Sequence, residues 1–157
     1  MHVRPLQPSD WPEWRRMRIA LWPDEPSAAT DTDMRAWLER PDAAVFVAAR
    51  PDGSLCGFVE VASRPYAEGC ETSPVGYIEG WYVDADVRRE GYGRALLEAA
   101  EDWARSEGYT EMASDALLDN TLSHRAHERC GYNEVERLVT FRKPLIGPRP
   151  DGMAPPG

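Results

Sequence analysis

The sequence predicts an α+β (mixed α/β) domain with one central mixed sheet flanked by helices. Two observations support this fold class. Signals for an antiparallel hairpin occupy residues 43–64, and a strand–helix–strand succession follows from residue 77 onward. A chain of 157 residues, of which 42% are hydrophobic and 29% charged, is large enough for a single core.

The first half of the chain predicts a strand, two helices and a hairpin. Pro12 suits the first turn of a helix that follows the capping residues Ser9 and Asp10, and Thr30 caps a second helix that ends before Pro41. A tight Pro-Asp-Gly turn separates the two strands of the hairpin. The elements of this half are predicted at residues 2–6 (strand), 11–21 and 31–40 (helices), and 43–50 and 55–64 (strands).

The second half predicts an alternation of strands and helices after a polar loop at residues 65–74. Apolar residues recur at helical spacing between Leu96 and Ala104, which indicates an amphipathic helix. The elements are predicted at residues 77–83, 111–115 and 135–142 (strands) and at 91–107 and 122–130 (helices). Residues 1–146 therefore form the predicted domain, and residues 147–157, rich in proline and glycine, are expected to be a flexible tail.

Composition limits the classes of function. The formal net charge of −9 argues against a nucleic-acid-binding surface and is compatible with a cationic small molecule. No apolar run is long enough to span a bilayer, and the start of the sequence lacks a signal-peptide pattern. The three cysteines show no paired spacing and are expected to be reduced thiols, which favours a cytoplasmic protein without membrane partners.

The run Arg88-Arg89-Glu90-Gly91-Tyr92-Gly93-Arg94 lies between a predicted strand and a predicted helix. Glycines at such a junction let backbone N–H groups point into one concavity, and the helix N-terminus adds partial positive charge. A phosphate-bearing ligand would explain the three arginines. The alternative is an ordinary glycine turn with solvated arginines, since the run has neither a P-loop lysine nor a dinucleotide-binding glycine pattern.

The strand YIEGWYV contains a carboxylate, Glu79, and a glycine, Gly80, among aromatic and β-branched residues. Regular alternation would place Tyr77, Glu79, Trp81 and Val83 on one face of the strand. Gly80 predicts a bulge or the close approach of another backbone. The simplest alternative for Glu79 is a charge on the sheet face, either solvated or paired with an arginine.

The Arg-x-x-Gly-x-Gly run after an aromatic strand resembles the acetyl-CoA pyrophosphate motif of the GCN5-related N-acetyltransferase (GNAT) superfamily, whose element order is also the predicted one. Four further stretches, WPD, TSPV, EGWYV and SDALLDN, resemble the aminoglycoside 6′-N-acetyltransferases. The similarity extends from about residue 4 to Leu145.

This resemblance implies a GNAT fold and direct attack of an amine on acetyl-CoA, with Glu79 as the base, acting directly or through water. Backbone groups of Trp81, Tyr82 and Val83 would bind the pantetheine arm, and the Val83 N–H would polarise the acetyl carbonyl. Asn120 would complete the coenzyme site. The pyrophosphate would lie on Arg88, Arg89, Glu90, Gly91, Tyr92, Gly93 and Arg94.

The resemblance also implies an aminoglycoside site with anionic contacts and aromatic walls. The contacts would be Asp115 and Glu136, and the walls Tyr66 and Trp22, although a tryptophan this near a helix end is often a core residue. Glu25 stands where close relatives can carry a drug-contacting histidine, which leaves the preferred substrate open.

The leaving thiolate could take its proton from His127, which aligns with the tyrosine that has this role in many superfamily members. Tyr132 is a nearby alternative, and the thiolate could also leave without an acid. His124 and His127 share one helix face but lack an obvious third ligand, so no metal site is predicted.

The resulting hypothesis is an aminoglycoside 6′-N-acetyltransferase that uses acetyl-CoA and confers antibiotic resistance. Relatives of this type are commonly homodimers. Two alternatives stay open at this point. One is the same chemistry on another small amine or a protein N-terminus, and the other is a non-catalytic acyl-CoA-binding module.

Overall fold

The computed structural model describes residues 2–147, so the predicted tail, apart from Gly147, lies outside the described residues. Five strands and four α-helices follow one another in the predicted order up to residue 129. The strands are β1 (His2–Pro5), β2 (Ala43–Ala49), β3 (Leu55–Arg64), β4 (Val75–Val83) and β5 (Met112–Ser114). The helices are α1 (Trp11–Leu21), α2 (Asp31–Glu39), α3 (Tyr92–Ser106) and α4 (Thr121–Arg129).

The strands form one mixed sheet in the order β1-β2-β3-β4-β5, in which β1 to β4 are antiparallel and β5 is parallel to β4. Helix α3 connects the two parallel strands, as a parallel crossover requires. The predicted mixed α/β architecture is confirmed. No helix among the described residues is long and apolar enough to cross a membrane.

The two faces of the sheet are covered by different helices. Helix α3 buries its apolar stripe, including Leu96 and Ala100, against one face. Helices α1 and α2 bury Trp14, Met17 and Met34 against the other face. The helical spacing seen in the sequence therefore corresponds to a packed sandwich of helices around one sheet.

Strand β4 contains a β-bulge at Glu79. Glu60 of β3 pairs with Gly80, but the next residue of β3, Val61, pairs with Ile78, which leaves Glu79 without a partner in the ladder. The expected alternation is wrong for this reason, because the extra residue reverses which face the side chains occupy.

As a result, the four residues expected on one face of β4 do not share it. Trp81 and Val83 pack with Ile78 on the α3 side, whereas Tyr77 packs in a separate cluster with Ala67. Glu79 itself, at the point where the side chains change faces, is half-buried.

The predicted last strand, residues 135–142, is wrong. Residues 132–144 form neither helix nor strand in the described structure, and several of their apolar side chains are exposed, with Phe141 92% accessible. A strand is stable only when a neighbouring strand pairs with it and one face is buried, and this segment has neither. Its β-branched and aromatic residues favour a strand, but no partner strand for it is present within residues 2–147.

Candidate active site

A cleft of ≈ 280 Å³ opens where β4 bulges. Its walls come from the end of α1, from β4, from the segment after β5 and from the start of α4. Six residues whose side chains were predicted to act in catalysis, or in binding the substrate or the coenzyme, line this cleft together: Trp22, Glu25, Glu79, Asp115, Asn120 and His127. Three of these are carboxylates, which makes the cleft suited to a cationic ligand.

Glu79 reaches this cleft because of the bulge, and it is held by an arginine. Arg64, the last residue of β3, donates through Nε to Glu79 Oε1 and through Nη2 to Oε2, each at 2.7 Å. This two-point geometry fixes the plane of the carboxylate. The structure therefore combines the two interpretations of Glu79, a cleft-lining carboxylate and a carboxylate paired with an arginine.

Arg64 also links Glu79 to a second carboxylate. Its guanidinium lies 3.5 Å from the centroid of the Tyr77 ring, and the Tyr77 hydroxyl donates to Asp115 Oδ2 at 2.5 Å. Burial, followed by the hydrogen bond to Asp115, raises the pKa of Tyr77, so this phenol remains a donor. Tyr77 thereby anchors Asp115, an exposed residue that lines the cleft.

His127 is held at both ring nitrogens. Nδ1 lies 2.7 Å from the carbonyl oxygen of Ser123, which can only accept a hydrogen bond, so Nδ1 carries a proton. Nε2 lies 2.8 Å from Ser114 Oγ, and Trp81 packs edge-on against the ring with centroids 5.0 Å apart. His127 and Ser114 thus both line the cleft and are joined to each other by this contact.

Beyond Ile78, β4 has no paired strand on its β5 side within the described residues, and this unpaired edge, called the gap below, could accept an extended ligand. The pairing of β4 with β5 ends at Ile78 and Ser114, whereas β4 continues to Val83. The Asp84 N–H donates to Cys56 O of β3 at 2.7 Å, so the alternation of a strand turns the preceding Val83 N–H toward the gap. This is the donor that the sequence resemblance assigns to the acetyl carbonyl.

The glycine run forms the entry to α3 as expected. Gly91, at φ +93°, is the residue before the first turn of the helix, and Arg89 also has a positive φ of 67°. The first N–H groups of α3 have no partner within the helix. Gly93, in the first turn of α3, lies close to Trp81: a Cβ there would lie 3.2 Å from the indole, whose Nε1 donates to Gly93 O.

The side chains of this run have different environments. Arg88 and Arg94 are exposed and bond the backbone oxygens of Val83 and Arg129. Glu90 is also exposed, whereas Tyr92 is buried in the core. Tyr92 can therefore contact a ligand only through its backbone.

Two predicted substrate residues lie outside the cleft. Tyr66 is 67% exposed in the loop between β3 and β4 and does not line the cleft. Glu136, on the segment that lacks regular structure, lines a wider neighbouring opening together with Arg64 and Asp115. Their roles in substrate binding stay predictions.

The sequence offered little sign of Arg64 and Ser114, which contact the two candidate catalytic residues. Arg64 faces Glu79 only because of the register between β3 and β4, and a long intervening loop and a bulge conceal that register. Ser114 stands beside Asp115 in a motif already noted, so its position at the end of a short strand was the available signal. Among residues 2–147, no group of three or more His, Cys, Asp or Glu residues is arranged to hold a metal ion.

Comparison with known proteins agrees with this geometry. Residues 9–132 match the model of the acetyltransferase (GNAT) family. Aminoglycoside N(6′)-acetyltransferase type 1 from Klebsiella aerogenes is 46% identical over 91% of this chain and 96% of its own length. The enzyme of the same name from Stenotrophomonas maltophilia is 42% identical, over 91% and 93% of the two chains.

Solved structures extend the similarity to three dimensions. The apo crystal structure of an aminoglycoside antibiotic 6′-N-acetyltransferase from Acinetobacter haemolyticus has a TM-score of 0.86 and 35% identity, covering 93% of this chain and 100% of that one. The structure of AAC(6′)-Iy in complex with the bisubstrate analogue CoA-S-monomethyl-acetylneamine has a TM-score of 0.85 and 34% identity, covering 92% and 98%. With this fold, this cleft and these relatives, the chain belongs to the GNAT family of acetyltransferases.

Proposed function

We propose that this protein transfers an acetyl group from acetyl-CoA to the 6′-amine of aminoglycoside antibiotics and so confers resistance to them. The observation that carries the proposal is the cleft at the β4 bulge, where Glu25, Glu79 and Asp115 line one cavity beside the gap between β4 and β5. The names of the relatives at 42–46% identity support the same activity.

The residues around the gap fit acetyl-CoA. The N-terminus of α3, together with Arg88, Arg89 and Arg94, would hold the pyrophosphate through backbone N–H groups and positive charge. Glu90 through Gly93 would contribute backbone groups. The gap beside Trp81, Tyr82 and Val83 would receive the pantetheine arm, with Asn120 on its far side. Asn120 Oδ1 already accepts the Ser123 N–H at 3.1 Å, so its amide NH₂ is the group that remains to donate.

Acetyl-CoA, when bound, supplies an acetyl thioester and a thiolate leaving group. The Val83 N–H would donate to the acetyl oxygen as negative charge develops there. Glu79 would accept a proton from the substrate ammonium, directly or through water, which leaves the amine able to attack. Arg64 fixes the carboxylate for this step.

Proton return to the thiolate would pass through Ser114. His127 Nε2 and Ser114 Oγ are 2.8 Å apart and both residues line the cleft, so the hydroxyl can carry a proton from the ring to the thiolate. The Ser114 hydroxyl would give its proton to the thiolate and take one from the His127 Nε2 of an imidazolium, which keeps the Nδ1 proton on Ser123 O. No covalent bond to the enzyme forms in this sequence of steps.

Recognition of the acceptor would rest on charge and on one aromatic wall. Aminoglycosides carry several ammonium groups, and each carboxylate of the cleft can pair with one. Trp22 lines the same cavity and offers a flat apolar surface for a sugar ring. Tyr66 and Glu136, which lie beyond the cleft, would join the site only with the outer rings of a larger substrate.

We also propose a cytoplasmic homodimer. The three cysteines are free thiols, and a reaction that consumes acetyl-CoA belongs where that metabolite is made. Val139, Phe141 and Leu145 are between 70% and 92% exposed on the segment after α4. Such a run of exposed apolar side chains suits pairing with a second copy of the chain.

The test is a thiol-release assay with acetyl-CoA and two matched aminoglycosides, one bearing a 6′-amine and the other a 6′-hydroxyl. We expect turnover with the amine alone, and mass and NMR analysis should locate the acetyl group on N6′. Equal turnover of both compounds, or acetylation at another nitrogen, would overturn the assignment of position. Thiol release with simple polyamines but with neither drug would instead favour an acetyltransferase for other small amines.

A further inference from the structure

An ion pair is buried beneath the acceptor side of the cleft. Arg18 of α1 and Glu60 of β3 are 4% and 0% exposed, and Nη1 of Arg18 contacts Glu60 Oε1. Trp14 Nε1 donates to the same oxygen at 3.0 Å. Within residues 2–147, Glu60 Oε2 has no hydrogen-bond partner. The chemistry proposed above uses neither residue.

Arg18 connects this pair to the chain segment that follows α1. Its Nε donates to the carbonyl oxygen of Ala28 at 2.5 Å. Its guanidinium carbon lies 5.0 Å from the centroid of Trp22 and 5.4 Å from that of Trp14, which are cation–π distances. One side chain thus binds both ends of residues 22–28, which contain Trp22 and Glu25.

The position of this segment is tightly limited at the cleft. A Cβ on Gly80 would lie 2.8 Å from Trp22 Cη2, so the indole packs directly on the strand beside the bulge. Glu60 pairs with Gly80 in the sheet register. The ion pair, the bulge and the tryptophan wall therefore form one continuous contact from α1 through β3 to β4.

Stability alone is a weak reason for burying these charges. Apolar residues of similar volume often replace a buried ion pair with no loss of stability, because the pair must be removed from water. Apolar side chains could not donate to Ala28 O or place a cation between two indoles. The contacts that only the charged pair can make, the hydrogen bond to Ala28 O and the cation–π contacts, are the ones that fix residues 22–28.

We propose that Arg18 and Glu60 are positioning residues, which hold Trp22 and Glu25 in place and thereby set the affinity for the amine substrate without affecting coenzyme binding. The kinetic part of this inference rests on the proposed function, whereas the structural part does not. The two parts are therefore tested by separate measurements on the same variants.

The first measurement is amide hydrogen exchange of the double variant Arg18→Met/Glu60→Met. We expect exchange in residues 22–30 to become about tenfold faster or more, because the amides of Glu25, Ala28 and Thr30, which bond within this segment, lose their anchor. Exchange in residues 88–94, at the coenzyme loop, should stay as in the wild type. Glu60→Gln, which keeps the shape of the side chain, provides a second variant in case the double variant folds poorly. We expect it to accelerate exchange in the same segment, but to a smaller degree.

The second measurement is the KM for each substrate. We expect the aminoglycoside KM to rise about tenfold, with the acetyl-CoA KM within twofold of the wild type. Asp10→Asn is the matched control, since it weakens another arginine–carboxylate contact, Arg4–Asp10, that does not touch residues 22–28. Unchanged exchange in residues 22–30 would overturn the inference, as would equal rises of both KM values or an aminoglycoside KM that rises no more than in the control. A wild-type enzyme inactive on aminoglycosides would contradict the proposed function while the exchange result still tested the positioning.

Discussion

Glu79 owes its position to a single extra residue in β4. Without the bulge, a residue at this place would have a partner in β3 and its side chain would follow the regular alternation. With it, the carboxylate enters the cleft and meets Arg64 from the neighbouring strand. The sequence showed that a charge lies in this strand, but not the reversal of faces that makes the charge accessible.

Arg64 places a positive charge next to the carboxylates that would bind a polycationic substrate. Arg64→Gln should therefore lower the aminoglycoside KM by about threefold or more at low ionic strength, because a repulsive charge is lost. Added salt should reduce this difference. Steady-state kinetics at two salt concentrations checks the expectation.

The control for this variant is Arg35→Gln, which removes an exposed arginine on α2 and changes the net charge equally. The expectation would be contradicted if the aminoglycoside KM rose in Arg64→Gln or fell equally in both variants. Either result would show that the charge of Arg64 beside Glu79 does not oppose substrate binding.

At the scale of single elements, the connection between β1 and α1 depends on a carboxylate with a shifted pKa. Asp10 accepts hydrogen bonds from Arg4 at 2.7 and 2.9 Å and from the Gln7 N–H at 2.7 Å, which ties β1 to the helix. The bond from Arg4, aided by that from Gln7, lowers the pKa of Asp10 despite its burial.

Because the pKa is lower in the folded state, the contribution of Asp10 to stability is present above the unfolded pKa of about 4 and is lost as the pH falls through the folded value. Asp10→Asn should lower the free energy of unfolding by about 1–2 kcal/mol at pH 7. The difference from the wild type should shrink below about pH 4. Urea unfolding of both proteins across this pH range measures it, and a difference that stayed constant would contradict the linkage.

Elements with their own capping and periodicity were predictable from the sequence. Helix α3, with a glycine before it and an apolar stripe along it, is found within a residue of its expected start and end. The strand expected at residues 135–142 is wrong because a strand also needs a neighbouring strand to pair with, and none is available to this segment among the described residues. Likewise, Trp22 and Glu25 were expected from resemblance, but the buried pair that holds them depends on contacts between distant elements.

At the scale of the whole molecule, the exposed apolar segment after α4 leads to an expectation about assembly. The wild-type protein should elute with twice the mass of one chain in size-exclusion chromatography with light scattering. Phe141→Asp should shift it toward the monomer, because a charge would then be buried in the interface.

Leu38→Asp, at an exposed position on α2, serves as the control and should leave the dimer intact. A wild-type protein that is monomeric at all concentrations would refute the proposed assembly, as would an unchanged mass for Phe141→Asp.

The fold as a whole brings the gap beside β4, which would hold the acetyl donor, next to an anionic cleft for the amine acceptor. Glu79 lies in this cleft. The measurement that tests this account most directly is kcat of Glu79→Gln with both substrates saturating, with Glu98→Gln, an exposed position on α3, as the control. We expect kcat to fall by about 100-fold or more, with the acetyl-CoA KM unchanged, because the amine loses its proton acceptor. A kcat for Glu79→Gln equal to that of the control would contradict the central role assigned to this carboxylate.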